Sequence, residues 1–274
     1  RQEVDGRLTF AEPEPEGEPV AVIGARACDL AGLRLQDEHF LEGDPDSHYA
    51  ARRLSLFLVA VSCTHPADTC FCASTGDGPG VTIDYDLALE ELDEGFLVTA
   101  GSDAGAAVTA ELSLDAASPE QRERAAVEVR AAAEAQQRAL PAIGLRDFLF
   151  ARTDHPRWAE VAEHCLACGN CTSVCPTCFC HGLETTADLA GREAEESRVW
   201  DSCFTEAHSL LHGIPVRTNT ADRYRQWLTH KLAGWWDQFG RSGCVGCGRC
   251  ITWCPTGIDL TAEVAALGEE RNNA

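Results

Sequence analysis

The sequence predicts an α+β protein: a small α/β N-terminal domain over residues 1–150 and an α-helical ferredoxin-like dicluster domain over residues 151–274. Three observations predict it. Strand-length apolar runs alternate with helical patterns in the first half. Two complete C-x2-C-x2-C-x3-C-P runs stand in the second half, Cys165 to Cys175 closed by Pro176 and Cys244 to Cys254 closed by Pro255. Between them lie 68 residues, 176–243, far more than a small βαβ ferredoxin leaves, and a spacing that suits clusters carried by helices. With 274 residues, the chain is long enough for each part to bury its own core.

In chain order, residues 1–18 are polar, acidic and proline-punctuated, and read as a linker or loose edge. Val20 to Ile23 is a short buried strand ending at Gly24, and the stretch Cys28 to Leu41 follows with Leu30, Leu33, Phe40 and Leu41 at helical spacing. Leu54 to Val61 has the unbroken apolarity of a strand buried on both faces of a parallel sheet, and Cys63 follows it. Val81 to Ile83 and Phe96 to Thr99 are weaker strand candidates. Ser118-Pro119-Glu120-Gln121 opens the clearest helix, with a capping serine, proline at the first helical position and glutamine completing a capping box. That helix extends to Leu140 and stops at Pro141, which places the domain boundary near 145–155. A short helix from Pro156, with Trp158, Val161 and Ala162 on one side, delivers the chain to Cys165. A second strong helix spans about Ala221 to Leu232, with Tyr224, Trp227, Leu228, Lys231 and Leu232 near its inner face. Trp200, Trp227, Trp235, Trp236 and Trp253 are expected in the core, Trp253 shielding the second run from water.

The cysteine runs carry the chemistry. Iron–sulfur cubanes are held by thiolates, and three cysteines at intervals of three can face one centre. Gly169, Gly246 and Gly248 let the backbone come close. In two-cluster proteins the fourth cysteine of each run serves the other cluster. The expected sets are therefore Cys165, Cys168, Cys171 and Cys254 for one [4Fe-4S] centre, and Cys244, Cys247, Cys250 and Cys175 for the other. Structural zinc sites are built from pairs of C-x2-C rather than runs of four. Seven further cysteines remain. Cys28, Cys63, Cys70 and Cys72 suit a third [4Fe-4S] centre or a set of buried thiols. Cys178, Cys180 and Cys203 form a second cofactor-binding candidate; as only three, they would need His181 or an outside ligand, and packing or a local redox thiol is the plainer use. Thr69 to Cys72 and Thr177 to Cys180 share the sequence TCFC. His65, His181 and His208 read as polar surface or supporting groups.

Charge and absences narrow the function. Twenty-two basic residues against 44 acidic ones give −22, a surface that repels nucleic acid and anionic lipid. No apolar run approaches the length of a membrane span. Fifteen cysteines, an odd number at ligand spacings, point to a reducing, cytoplasmic compartment. Neither a G-x-G-x-x-G after a strand, nor a P-loop, nor a nucleophile elbow occurs, so the chain reads as an electron relay rather than a catalyst. The absence of any methionine suggests that a natural N-terminal segment precedes Arg1.

The segments Gly24 to Leu30, Thr69 to Cys72, Cys165 to Cys180, Val199 to Cys203, His230-Lys231 and Cys244 to Cys250 together resemble the iron–sulfur beta subunit of cytoplasmic [NiFe] hydrogenases of the sulfhydrogenase type. The iron–sulfur subunit of anaerobic sulfite reductase is similar. What the resemblance implies is an electron carrier between a flavin subunit handling NAD(P)H and the hydrogenase small subunit. The family's cysteine pattern falls on all eight cysteines of the two runs, and the first-domain cysteines also match, which favours the third centre. The sulfite reductase role remains the alternative, as does a stand-alone reductase using Cys178, Cys180 and Cys203.

Overall fold

The computed structural model describes residues 2–4, 7–142 and 144–269. Its first part opens with a hairpin of β1 (Gln2–Val4) and β2 (Arg7–Thr9), so the stretch expected as a linker is partly paired; an exposed irregular segment then leads to β3 (Val20–Ala25). After β3 come α1 (Ala27–Leu41), α2 (Ser47–Leu54), β4 (Leu56–Val61), α3 (Cys72–Thr75), β5 (Leu87–Leu92), β6 (Gly95–Ala100), α4 (Asp103–Glu111) and α5 (Pro119–Glu134). The sheet order is β3-β4-β5-β6, with β3, β4 and β5 parallel and β6 antiparallel on β5. One mixed sheet with helices thus forms the first part, as the alternating pattern predicts.

Several local expectations change. The strand at Val20 to Ile23 exists, but it is the sheet edge: Ile23 is 76% exposed rather than buried. Leu54 ends a helix instead of starting a strand, because Asp46 caps Tyr49 and the polar Ser47–Arg53 stretch winds ahead of it. Val81 to Ile83 lies outside any strand; Val81 donates its N–H to the Ser62 hydroxyl instead. The capping box at Ser118 and Gln121 forms as its sequence predicts. Its helix stops at Glu134, six residues before Leu140, and Gln136 turns away to bond Ala73 and Cys72.

The second part holds α6 (Leu145–Phe150), α7 (Arg157–His164), α8 (Asn170–Ser173), β7 (His181–Ala187), β8 (Ala194–Trp200), the short pair β9 (Leu210–Leu211) and β10 (Ile214–Pro215), α9 (Thr220–Thr229), α10 (Trp235–Phe239), α11 (Arg249–Thr252) and α12 (Leu260–Ala266). A π-helical turn, His230–Gly234, joins α9 to α10. Tyr224, Trp227, Leu228, Lys231 and Leu232 all face inward, as their spacing predicts. Trp227 and Trp235 are core residues, but Trp200, Trp236 and Trp253 are not. Trp253 is 61% exposed, because the inward positions around it are taken by Cys250 and Ile251. The β7–β8 hairpin inside the cysteine interval is not foreshadowed by any strand signal in the sequence.

The cores interlock. Phe71, Leu140, Leu145 and Leu149 from before residue 150 pack in one cluster with Trp158, Trp227, Leu228 and Leu260. Ala31 and Leu35 of α1 pack with Trp235 and Val245 in another.

Candidate metal centres

Each cysteine run folds the same way. After Cys168 and Cys247 the chain takes a left-handed glycine, Gly169 (φ 75°) and Gly248 (φ 70°), and enters the one-turn helices α8 and α11. The residue before the second cysteine is also left-handed, Ala167 (φ 50°) in the first run and Gly246 (φ 64°) in the second. These kinks wrap three cysteines inward, and the turn at the closing proline returns the fourth.

Two cavities result. One is lined by Cys165, Cys168, Cys171 and Cys254, with Phe204, Tyr224 and Trp227 on its apolar wall. The other is lined by Cys175, Cys244, Cys247 and Cys250, with Phe71 and Lys231 beside them. Three cysteines of each run therefore meet the fourth of the other. Cys250 also touches the first cavity and Trp227 borders both, so the two are neighbours.

The electrostatics are those of a site built for a cationic or cluster guest. Burial, and then the neighbouring thiols, push Cys171 and Cys244 up to about 12 and Cys247 up to about 11. Cys165 and Cys250 are raised by the same cause. Cys254 is less buried; although desolvation opposes it, the Thr256 hydroxyl and the backbone N–H groups of Thr256, Gly257 and Ile258 hold its thiol below the usual value. Four thiols pressed together in an apolar pocket strongly disfavour bare thiolates, whereas iron ions compensate that charge. The Tyr224 hydroxyl and the Trp227 indole N–H are buried without a hydrogen-bond partner among the described residues, and both residues line the first cavity. Donors left over at such a wall fit a sulfide-bearing guest.

Lys231, the only lysine in the chain, is 5% exposed. Its Nζ donates to Thr177 Oγ1 (2.7 Å) and reaches the Gly243 carbonyl (3.5 Å), and Thr177 Oγ1 lies 3.2 Å from Cys175 Sγ. Burial alone would lower its pKa; the sulfurs of Cys175, Cys178 and Cys244 outweigh that and carry it above the usual lysine value. Cys175 is in turn held low, first by a hydrogen bond from Cys178 and then by Lys231.

The first-part cysteines sit against the second run. Phe71 N–H donates to the Gly246 carbonyl (2.8 Å), Cys70 Sγ faces the Cys247 carbonyl (3.9 Å), and Thr69 and Thr252 hydroxyls are 2.7 Å apart. Arg249 pairs with Asp29 across the same junction. Burial raises the thiols of Cys28, Cys63 and Cys72; the Asp29 carboxylate and then Cys247 raise Cys28 further, and Cys70 raises the other two. Gln136 Nε2 donates to Cys72 Sγ (3.2 Å).

Cys178, Cys180 and Cys203 divide between two neighbourhoods. Cys178 bonds Cys175, while Cys180 and Cys203 pair with each other. The histidine beside that pair is His208, not His181: a ring nitrogen of His208 and the two sulfurs lie within 4.8 Å of one another. His181 is exposed, with Nδ1 3.4 Å from the Phe179 carbonyl, and His65 contacts the Thr64 hydroxyl. His208 follows Cys203 by five residues on the single 3-10 turn Ala207–Ser209, too short for any periodicity in the sequence to mark it.

Residues 164–258 match the family model of the 4Fe-4S dicluster domain. The chain is similar to sulfhydrogenase 2 subunit beta of Pyrococcus furiosus, 35% identical over 254 residues, which is 91% of this chain and 73% of that protein. No solved structure matches the chain. Among the described residues, no helix is long and apolar enough to cross a membrane.

Proposed function

Because the chain belongs to the sulfhydrogenase beta-subunit family, we propose that it relays electrons between a flavin subunit handling NAD(P)H and the small subunit of a [NiFe] hydrogenase. It carries a 4Fe-4S dicluster domain and works as an iron–sulfur electron-transfer subunit of a larger assembly. We place it in the cytoplasm, where ligand thiols stay reduced.

One observation carries the relay: eight cysteines from two separate runs line two adjacent cavities in crossed sets of four. Cys165, Cys168, Cys171 and Cys254 would hold one [4Fe-4S] cluster; Cys175, Cys244, Cys247 and Cys250 would hold the other. Cys28, Cys63, Cys70 and Cys72, of which Cys70 and Cys72 lie against Cys247 and Gly246, would hold a third. Such clusters supply one-electron steps at potentials set by charge, hydrogen bonds and solvent access. The residues of this chain do the rest. Tyr224 and Trp227 exclude water and offer donors, Lys231 neutralises thiolate charge, and Phe71 seals the second cavity. The part up to residue 150 would serve as the station through which electrons enter or leave, and residues 151–274 as the dicluster part.

The test is Cys250→Ala in the assembled complex, with iron and sulfide counted on the same preparation. Hydrogen-dependent NAD(P) reduction is expected to vanish while the isolated nickel–iron subunits still reduce an artificial acceptor. Unchanged turnover overturns the relay. About twelve irons per wild-type chain support the third centre, and about eight remove it.

A further inference from the structure

The β7–β8 hairpin brings together residues that lie far apart in sequence. His181 pairs with Trp200 at its open end, and Asp201 N–H donates to the Cys180 carbonyl (3.0 Å). Cys180 and the Asp201–Cys203 segment are thereby set side by side. The single turn Ala207–Ser209 then carries His208 to the same place.

Two sulfurs and one imidazole nitrogen within 4.8 Å are spaced for a single ion. Two thiolates bound tetrahedrally to one zinc, each at about 2.3 Å, stand ~3.8 Å apart. A cubane instead takes its thiolates at separate iron corners, and it favours sulfur over a mixed nitrogen–sulfur set. His208 Nδ1 lies 3.1 Å from Asp201 Oδ2, and Asp201 Oδ1 accepts from the Ser202 N–H (2.7 Å) and the Thr205 hydroxyl. A carboxylate that orients an imidazole in this way leaves its other ring nitrogen free to ligate. Cys178, which could have been a fourth ligand, is turned towards Cys175. Cys203 is buried while Cys180 and His208 are part-exposed, so the group lies at the edge of the core.

We propose that Cys180, Cys203 and His208 form a mononuclear site for a zinc-type divalent cation, with Asp201 as positioning residue and the fourth coordination place open to water. Two thiolates and a neutral imidazole make the bound cation formally neutral, and the site is independent of the electron-transfer function proposed above. It also ties the ends of an exposed hairpin to the helical core through Cys203, which belongs to that core.

The full chain, purified anaerobically with its clusters, is loaded with zinc and desalted; zinc and iron are counted, and the zinc edge is read by X-ray absorption. About one zinc per chain is expected, with two sulfur neighbours near 2.3 Å and the remainder nitrogen or oxygen near 2.0 Å. His208→Ala and Cys180→Ser should lose the zinc with iron unchanged. Asp201→Asn should weaken zinc binding by about 10–100-fold in competition with a chelator. Zinc near zero in wild type, zinc with only sulfur neighbours, or zinc retained in His208→Ala each overturns the site. A loss of about four irons in Cys180→Ser would assign these cysteines to a cluster instead. Because iron content is read in parallel, failure of the zinc site and failure of the relay are separate results.

Discussion

Replacing Lys231 by methionine removes a positive charge from beside the second cavity while keeping a flexible, unbranched side chain. The contacts of 2.7 and 3.2 Å through Thr177 put the ammonium within about 6 Å of Cys175 Sγ. At an effective dielectric of about 20, a unit charge at that separation is worth about 2.8 kcal/mol. For a one-electron couple this equals about 120 mV, since a tenfold change is about 1.4 kcal/mol or 59 mV. Added electron density spreads beyond one sulfur, so the expected drop in potential is between about 50 and 120 mV. Anaerobic redox titration followed by EPR resolves it. The cluster assigned to Cys175, Cys244, Cys247 and Cys250 should become harder to reduce, and the one assigned to Cys165, Cys168, Cys171 and Cys254 should move less. Lys231→Arg, which keeps the charge, should restore most of the potential if it folds into the site. A shift below about 20 mV in Lys231→Met, with iron content intact, would refute the idea that this ammonium sets the potential.

Gly246→Ala should loosen the junction of the two parts. A Cβ there would stand 2.5 Å from Cys72 Cα and 2.6 Å from Phe71 C. Ala167 occupies the matching left-handed place in the first run, so lack of space rather than backbone angle forbids alanine at Gly246. The expected cost is at least about 2 kcal/mol, read as a fall of about 5 °C or more in the temperature of cluster bleaching; an unchanged midpoint contradicts the packing. His39 stacks on Phe179 at 3.5 Å, and burial, then His181, lowers its pKa. A histidine lowered in the folded state contributes stability that is complete above its ordinary value of about 6.5 and is lost as pH falls towards the folded value. Wild-type stability should therefore decline from about pH 7.5 to 5.5 more steeply than that of His39→Phe, which keeps the stack and removes the titration. Parallel slopes in denaturant unfolding would count against it.

What the sequence made legible follows from the range over which each signal acts. The cysteine runs impose their geometry within twelve residues, so their wrapping and crossed cavities follow from spacing and two glycine positions. The Ser118 cap and the inner face of the Tyr224–Leu232 helix are equally local. Elsewhere the deciding partner is remote. Val20 to Ile23 has the composition of a buried strand, yet the order β3-β4-β5-β6 leaves it at the edge. The helix after Pro119 stops early because Gln136 finds Ala73 and Cys72, more than sixty residues away. The β7–β8 hairpin carries no clear apolar alternation, since both strands are exposed along nearly their whole length and neither face meets the core. His208 joins Cys180 only because that hairpin closes.

The repeated TCFC segment shows why the two parts act as one. Phe71 of the first copy is fully buried in the core of the dicluster part. Phe179 of the second packs against Ala31, Leu35 and Trp235, in the core shared with α1. Each part thus inserts one phenylalanine into the other, and the cysteines flanking each phenylalanine are carried to the junction. Cys72 is held against Gly246, and Cys178 against Cys175. Any displacement of the first part must then drag the backbone at Gly246 and Cys247, which lines the second cavity. Cys70 and Cys72 are consequently held against the backbone of that cavity by packing. Were those thiols to hold the proposed third centre, this rigid placement would keep reorganisation at the junction small during transfer across it.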